Sequence, residues 1–120
     1  MKLSNNDLHK IAQVKVILEK EYRCANTQAE LARRVSTNES KLRKGFKLVH
    51  NKTINEYLIG VRIEKAKEML ETTDEPVKAV AIKVGYDVSN LVKQFKKNTG
   101  MAPMEWRKKI LRNNIFALFL

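Results

Sequence analysis

The sequence of 120 residues has little of what interrupts helices or cross-links small domains. It contains four glycines, two prolines and one cysteine, and aromatic residues make up 7%. So few glycines and prolines favour helices over sheet. A single cysteine excludes an internal disulfide and any zinc site built from paired cysteines. An apolar fraction of 43% is enough for a core and excludes a disordered basic tail.

Long apolar segments are also missing. The longest apolar run is Ile115–Leu120, far short of the roughly 18 residues that a membrane span needs. The chain begins with Met1, Lys2, Leu3, Ser4 and Asn5 and has no apolar segment of the signal-peptide kind. We therefore expect a cytoplasmic protein that does not span a membrane.

No set of residues argues for catalysis, a metal or a cofactor. His9 and His50 lie far apart without a carboxylate or cysteine motif beside them, so each is expected on the surface. The four glycines are scattered and form no phosphate-binding loop. Cys24 has no histidine motif around it and is expected to be a partly buried bystander. The sequence predicts a protein that is not an enzyme.

The charge is strongly one-sided. Twenty-four lysines and arginines face 13 acidic residues, which gives a net charge of +11. Such a surplus favours a polyanionic partner, with nucleic acid first because phosphate neutralisation releases condensed counterions. An anionic membrane surface, or no more than improved solubility, are the alternatives at this point.

An internal repeat is the most informative feature. The sequence matches itself without a gap at an offset of 49 residues, between 29–57 and 78–106. A repeat of this length indicates a duplicated supersecondary unit. The identical pairs are Ala32/Ala81, Val35/Val84, Ser40/Ser89, Leu42/Leu91, Lys44/Lys93, Phe46/Phe95, Lys47/Lys96 and Glu56/Glu105.

Each copy has the spacing of a helix-turn-helix. A small residue allows two helices to approach, a turn residue follows four positions later, and an apolar residue six positions further anchors the second helix. These residues are Ala32, Ser36 and Leu42, then Ala81, Gly85 and Leu91. Two matches in register, both with basic outer faces, predict two such units. A plain helical bundle with a solvated charged face is the alternative.

The remaining segments complete an all-α arrangement. We predict a first lobe over 5–52, a linker helix over 53–72, a second lobe over 73–112 and an apolar tail over 113–120. A helix of 20 residues is roughly 30 Å long, close to the roughly 34 Å of one DNA turn, so the linker is interpreted as a spacer between two DNA-reading helices. The sequence predicts a first helix from about Leu8 to Tyr22, after a Ser4–Asp7 capping box. It also predicts Pro76 in the first turn of a helix capped by Asp74 or Glu75, and a last helix over Pro103–Arg112.

At this point the residues resemble the DNA-binding domain of the AraC/XylS family of bacterial transcription activators, from about Thr27 to Arg107. The resemblance implies a seven-helix module of two homeodomain-like lobes that binds double-stranded DNA in adjacent major grooves. The matching stretches are Glu56–Tyr57–Leu58, Arg62–Ile63–x–x–Ala66–x–x–x–Leu70, Ala81–x–x–Val84–Gly85–Tyr86 and Phe95–Lys96–Lys97–x–x–Gly100–x–x–Pro103–x–x–Trp106–Arg107.

The same resemblance implies roles for individual residues. It places Ser40, Arg43 and Lys44 in the first reading helix, and Ser89, Asn90 and Lys93 in the second, against base edges. Arginine or lysine pairs with guanine and asparagine with adenine. Lys41, Lys47, Lys96 and Lys97 are expected to meet phosphate, whereas Arg62 is expected to form an intramolecular ion pair. Phe46, Phe95, Tyr57 and Trp106 are expected in the cores.

Two departures from the family pattern affect the reading helices. The second turn is one residue shorter than usual, so the second reading helix is expected to start early. Gly45 lies inside the first reading helix and should weaken it by roughly 0.5–1 kcal/mol relative to alanine.

We therefore interpret the chain as a sequence-specific DNA-binding protein that activates transcription, with RNA polymerase as a further partner. We expect it on the nucleoid, with no membrane partner. Many members of the family carry a sensor or dimerisation domain, so we expect this chain either to act alone or to belong to a longer protein. A protein-interaction module that uses the apolar tail, with only non-specific DNA binding, is the runner-up. RNA binding is disfavoured because the A-form major groove does not admit a helix.

Overall fold

The computed structural model describes residues 1–118, apart from the side chain of Phe116, so Phe119 and Leu120 of the predicted tail lie outside the described residues. Within these residues the chain is entirely helical. The helices are α1 (Asn5–Lys20), α2 (Gln28–Arg34), α3 (Glu39–His50), α4 (Ile54–Thr72), α5 (Val77–Lys83), α6 (Val88–Thr99) and α7 (Pro103–Leu118). This confirms the predicted all-α class of about seven helices.

The helix boundaries repeat with the period of the sequence. Helices α2 and α3 begin at Gln28 and Glu39, and α5 and α6 begin 49 residues later at Val77 and Val88. Asp87 caps α6 just as Asn38 caps α3. The period extends further than the sequence comparison detected, since α1, α4 and α7 begin at Asn5, Ile54 and Pro103.

The chain contacts divide it into two compact units, Met1–Val61 and the residues from Arg62 onward. Helix α4 therefore contributes its first turns to one unit and the rest to the other. The first unit is built on the apolar residues Ile11, Val14, Leu18, Leu31, Ala32, Val35, Leu42, Phe46 and Ile54. The second buries Ile63, Ala66, Leu70, Val80, Ala81, Val84, Leu91 and Phe95.

Reciprocal hydrogen bonds fix where two of the helices begin. Ser4 and Asp7 form a capping box at α1, with the Ser4 amide 2.9 Å from the Asp7 carboxylate and the Asp7 amide 3.0 Å from the Ser4 hydroxyl. Thr53 and Glu56 exchange the same two bonds, both 3.0 Å, at α4. Because Ser4 is itself the cap, α1 begins at Asn5 and not near Leu8, and it ends at Lys20 instead of Tyr22.

Two other boundaries differ from the sequence prediction. Pro76 is the N-cap of α5 and provides no side-chain hydrogen bond, so neither Asp74 nor Glu75 caps this helix. Helix α7 does not stop at Arg112 but continues to Leu118. The asparagines at 113 and 114 have low helix propensity, which predicts an end there, but they do not break the backbone pattern as proline would.

The turn of each helix-turn-helix needs a left-handed residue. Gly85 has a φ of 91° and Ser36 a φ of 57°. In both copies a backbone amide three residues after the end of the first helix closes the turn. Thr37 donates to the Ala32 carbonyl and Tyr86 to the Ala81 carbonyl, each at 2.9 Å. The two turns are therefore the same turn, although serine pays a steric cost there that glycine does not.

Gly45 has a packing role that the sequence did not reveal. It is buried, and a Cβ at this position would come within 2.8 Å of Ile11 Cδ1 and 3.3 Å of Leu3 Cδ2. The glycine therefore allows α1 to pack closely against α3. The expected weakening of the first reading helix is offset by this packing.

Candidate nucleic-acid interface

The rotation of α3 and α6 about their own axes is fixed by two buried residues in each. Leu42 and Phe46 in α3, and Leu91 and Phe95 in α6, are almost completely buried. Phe46 makes an edge contact with Tyr57 at 5.7 Å between ring centroids, and Phe95 makes the same contact with Trp106 at 5.8 Å. These four aromatic side chains pack inward as predicted, with Tyr57 and Trp106 half-buried.

The opposite face of each helix carries the same three exposed side chains. In α3 they are Ser40, Lys44 and Lys47, and in α6 they are Ser89, Lys93 and Lys96. Spacings of four and three residues place each set in one line along a helix. We call each set the serine–lysine stripe of its helix. The structure thus exposes all six of these residues and aligns them within their own unit.

The other predicted contact residues lie beside the stripes. Arg43 and Lys97 are exposed, while Lys41 is half-buried. Asn90 is exposed at the start of α6, but its backbone amide donates to Asp87 Oδ1 at 2.7 Å and its side-chain amide lies 3.3 Å from Asp87 Oδ2. To pair with adenine, as the resemblance implies, Asn90 must exchange this side-chain bond for one to the base.

Two of the predicted phosphate-contacting lysines are held by carboxylates. Lys41 Nζ lies 3.0 Å from Asp7 Oδ1, and Lys47 Nζ lies 3.7 Å from Glu56 Oε1. The pKa of Asp7 is lowered mainly by the Ser4 backbone amide and then by Lys41, and the pKa of Glu56 mainly by the Thr53 amide and hydroxyl. Both carboxylates are therefore ionised at neutral pH and compete with DNA for their lysines.

The remaining cations of the two faces are not neutralised in this way. Within residues 1–118, none of these side chains forms an ion pair with a carboxylate: Arg43, Lys44, Lys93, Lys96 and Lys97. Unpaired, exposed cations of one sign attract a polyanion and release its counterions on binding.

His50 lies at the end of α3 and is not the surface residue that was expected. Its ring packs against Phe46 at 4.5 Å and Tyr57 at 5.9 Å between centroids, and its Nε2 atom is buried. Burial lowers the pKa of His50. Burial and the hydrogen bond to Glu19 at 2.8 Å raise the pKa of Tyr57 to about 12. This cluster supports the inner face of α3 and contributes nothing to its outer face.

Two further sequence expectations are corrected or refined here. Cys24 is exposed, not partly buried. Arg62 is buried, and its guanidinium carbon lies 4.8 Å from the centroid of the Tyr86 ring, which is an intramolecular contact. The expected ion pair of Arg62 stays a prediction. Over the part of the chain that the structure describes, there is no cluster of three potential metal ligands, and none of the helices is long and apolar enough to cross a membrane.

Two helix-turn-helix units, each with exposed cations on the outer face of its second helix, define a double helix-turn-helix nucleic-acid-binding protein. Comparison with known proteins identifies the family. A family model described as a helix-turn-helix domain, of the AraC type, matches residues 31–109. The chain belongs to the AraC-type helix-turn-helix family of DNA-binding bacterial transcription regulators, a family of regulators and not of enzymes.

Individual relatives agree with this assignment. The chain is 41% identical over 75 residues to an uncharacterised HTH-type transcriptional regulator in the cgkA 5′ region of Pseudoalteromonas carrageenovora, covering 62% of this chain and 44% of the relative. It is 34% identical over 73 residues to the HTH-type transcriptional activator RhaR of Enterobacter sp. (strain 638), covering 60% of this chain and 26% of RhaR. The chain thus spans less than half the length of these relatives.

A solved structure shares the fold. The DNA-binding domain of AdpA, described as a global transcriptional factor and crystallised with a target DNA, has a TM-score of 0.78 and 23% identity. The match covers 82% of this chain and 90% of that domain.

Proposed function

We propose that this protein binds double-stranded DNA sequence-specifically, by placing α3 and α6 in successive major grooves, and that it activates transcription. The observation that carries the proposal is the serine–lysine stripe, which occurs at matching positions on the exposed face of both helices. Exposed side chains contribute little to the folding of a unit, so folding alone does not explain why both helices present the same three residues. A ligand-binding surface that both helices share explains it.

In the proposed complex, each serine–lysine stripe faces the base edges at the floor of a DNA major groove. Ser40, Arg43 and Lys44 read bases in the first half-site, and Ser89, Asn90 and Lys93 read bases in the second. Lysine and arginine donors suit guanine O6 and N7. The phosphate contacts are assigned to Lys41, Lys47, Lys96 and Lys97, which lie beside the base-reading residues or further along each helix.

The two half-sites are expected to differ. Arg43 corresponds by the repeat to the half-buried Val92, and Lys41 to Asn90. The first half-site is therefore proposed to contain a guanine contacted by Arg43. In the second half-site, Asn90 is available to contact adenine, and Val92, which corresponds to Arg43, carries no charge.

Other features of the proposed function come from the family. RhaR is described as an activator, which supports activation over repression for this chain. Activation would require contact with RNA polymerase, and the greater length of the relatives supports a sensor or dimerisation domain as a further partner. Binding to the bacterial chromosome places the protein in the cytoplasm, on the nucleoid.

Selection from a random double-stranded DNA library, with the bound fraction titrated at about 50 and 200 mM salt, tests the proposal. Two-groove reading predicts a bipartite motif with half-sites about 10 base pairs apart and a steep loss of affinity with salt. A single short motif would mean that one helix alone reads bases. No enrichment, with all binding lost by 200 mM salt, would contradict sequence specificity.

One observation favours the runner-up, a protein-interaction function of the apolar tail. Along α7, Leu111, Ile115 and Leu118 are 59%, 47% and 83% exposed, and their spacing places them on one face of the helix. Deletion of residues 115–120 discriminates the two functions. DNA selection by the shortened chain should be unchanged if α3 and α6 carry the function, whereas a tail-dependent interaction would be lost.

A further inference from the structure

A polar groove lies beside the first turn of α3, between that turn, the N-terminal half of α1 and the end of α2 with the turn that follows it. It is open to solvent and has a volume of about 730 Å³. Three of its lining side chains are cations from three different helices: Lys10, Arg33 and Lys41. Sequence reasoning singled out Lys41 alone, because the other two lie on different helices and outside the reading helix.

The position of Lys41 on α3 shows what this groove would face. One residue along a helix is a rotation of about 100°, so Lys41 lies on the flank next to the serine–lysine stripe that begins at Ser40. The major groove is about 12 Å wide, hardly wider than a helix with its side chains. When the stripe faces the base edges at the floor of the DNA groove, this flank of α3 faces the backbone phosphates that border the groove.

The groove carries a surplus of positive charge. Lys41 is held 3.0 Å from Asp7, which is the one carboxylate among the lining residues. Lys10 donates to the Ser36 carbonyl at 2.7 Å and so braces the strained turn before α3. Arg33 is exposed and forms no ion pair within residues 1–118. An anion that enters the groove therefore meets three cations and one carboxylate, and this carboxylate is already paired with Lys41.

The second copy of the repeat lacks these three cations at the matching positions. The residues that correspond to Lys10, Arg33 and Lys41 are Ile59, Ile82 and Asn90. Ile82 is 63% exposed, so the cation of the first unit is replaced by an apolar side chain in contact with solvent. This set of three cations is thus a property of the first unit and not of the repeated fold.

We infer that this groove binds a DNA backbone phosphate beside the first half-site, with Arg33 and Lys41 as its direct contacts and Lys10 as the residue that positions the turn. The inference rests on the proposed function. It gives the first unit a backbone contact outside its second helix, through Arg33, for which the matching residue Ile82 carries no charge. Asp7 shares Lys41 with the phosphate and limits the strength of this contact.

The test compares Arg33→Gln with Lys20→Gln in DNA-binding titrations between about 50 and 200 mM salt. Both variants remove one exposed cation from the first unit, but Lys20 lies in the last turn of α1 and does not line the groove. Arg33→Gln should weaken binding about fivefold for specific and random duplexes alike, and reduce the slope of log K against log salt by about 0.9. Lys20→Gln should change affinity less than twofold.

A second variant tests the same inference by gain of binding. Ile82→Arg places the missing cation at the matching position of α5, and it should strengthen binding about threefold and steepen the salt slope. Unfolding monitored by circular dichroism verifies that each variant is folded. If Arg33→Gln and Lys20→Gln behave alike, the groove holds no phosphate. If the unaltered protein binds no duplex at 50 mM salt, the proposed function itself is wrong.

Discussion

The two units of this protein share a backbone plan but differ at single positions within it. Their helix-turn-helix segments have the same lengths and the same aromatic pairs, Phe46–Tyr57 and Phe95–Trp106. They differ at the turn, where Ser36 corresponds to Gly85, and on the flank of the second helix, where Arg43 corresponds to Val92. The buried residues that both units share therefore maintain the common fold, whereas residues on the flanks of α3 and α6 determine how the contacts of the two units differ. The serine–lysine stripe is exposed and yet identical, which ties it to a task that both units share.

The largest effect is expected from the paired core aromatics. Phe46→Ala and Phe95→Ala each remove a completely buried ring together with its aromatic edge contact. Each should lower the free energy of unfolding by about 3–5 kcal/mol. Urea unfolding of both variants checks this, and a loss below about 1 kcal/mol at either site would show that the two cores are not equivalent.

The next effect concerns the stripes. Lys44→Ala and Lys93→Ala remove matching donors that are proposed to read bases. Each should cost about 1–3 kcal/mol of binding to the selected DNA, with a smaller loss on random DNA. Fluorescence anisotropy on both duplexes measures this. Equal losses on selected and random DNA would assign these lysines to phosphate instead of bases.

The two turns provide a reciprocal pair of substitutions. Gly85→Ala forces a side chain into a left-handed conformation and should destabilise the protein by about 1–2 kcal/mol, while Ser36→Gly should stabilise it by up to about 1 kcal/mol. Thermal unfolding measures both. Should Ser36→Gly prove destabilising, the Lys10 hydrogen bond to the Ser36 carbonyl would not be sufficient to hold the more flexible turn.

The smallest effect is a pH dependence confined to the first unit. Burial lowers the pKa of His50 in the folded protein, so the unfolded chain binds a proton more readily. Stability is then complete above the ordinary histidine pKa of about 6.5 and falls as the pH drops below it. The matching residue of the second unit is Thr99, which does not titrate in this range.

Unfolding in urea at pH 7.5 and pH 5.5 measures this dependence, and His50→Gln is the variant that should reduce it. An unchanged difference between the two pH values in that variant would place the titrating group elsewhere.

The sequence alone predicted the parts of this structure that depend on local pattern. The Ser4–Asp7 capping box and the turn at Gly85 follow from residue type and spacing. What it missed depends on contacts between distant segments. The burial of His50 requires Tyr57 and Phe46 to close over it, and Gly45 has a purpose only once α1 lies against it.

The candidate interface shows the same division. The exposed stripes could be predicted because four- and three-residue spacings place residues on one helix face. The pairing of Lys41 with Asp7 joins residues 34 positions apart, and the groove formed with Arg33 needs three helices in place. No periodicity in the sequence encodes such a meeting of side chains.

The common 49-residue spacing of α1, α4 and α7 has a genetic consequence. Each copy begins with a helix at the same phase, and α4 both completes one copy and starts the next. A crossover between the two copies at matched codons would therefore leave every helix boundary in register. Recombination within the gene can exchange or duplicate a whole DNA-reading helix in one step, without passing through a chain whose helices are out of phase.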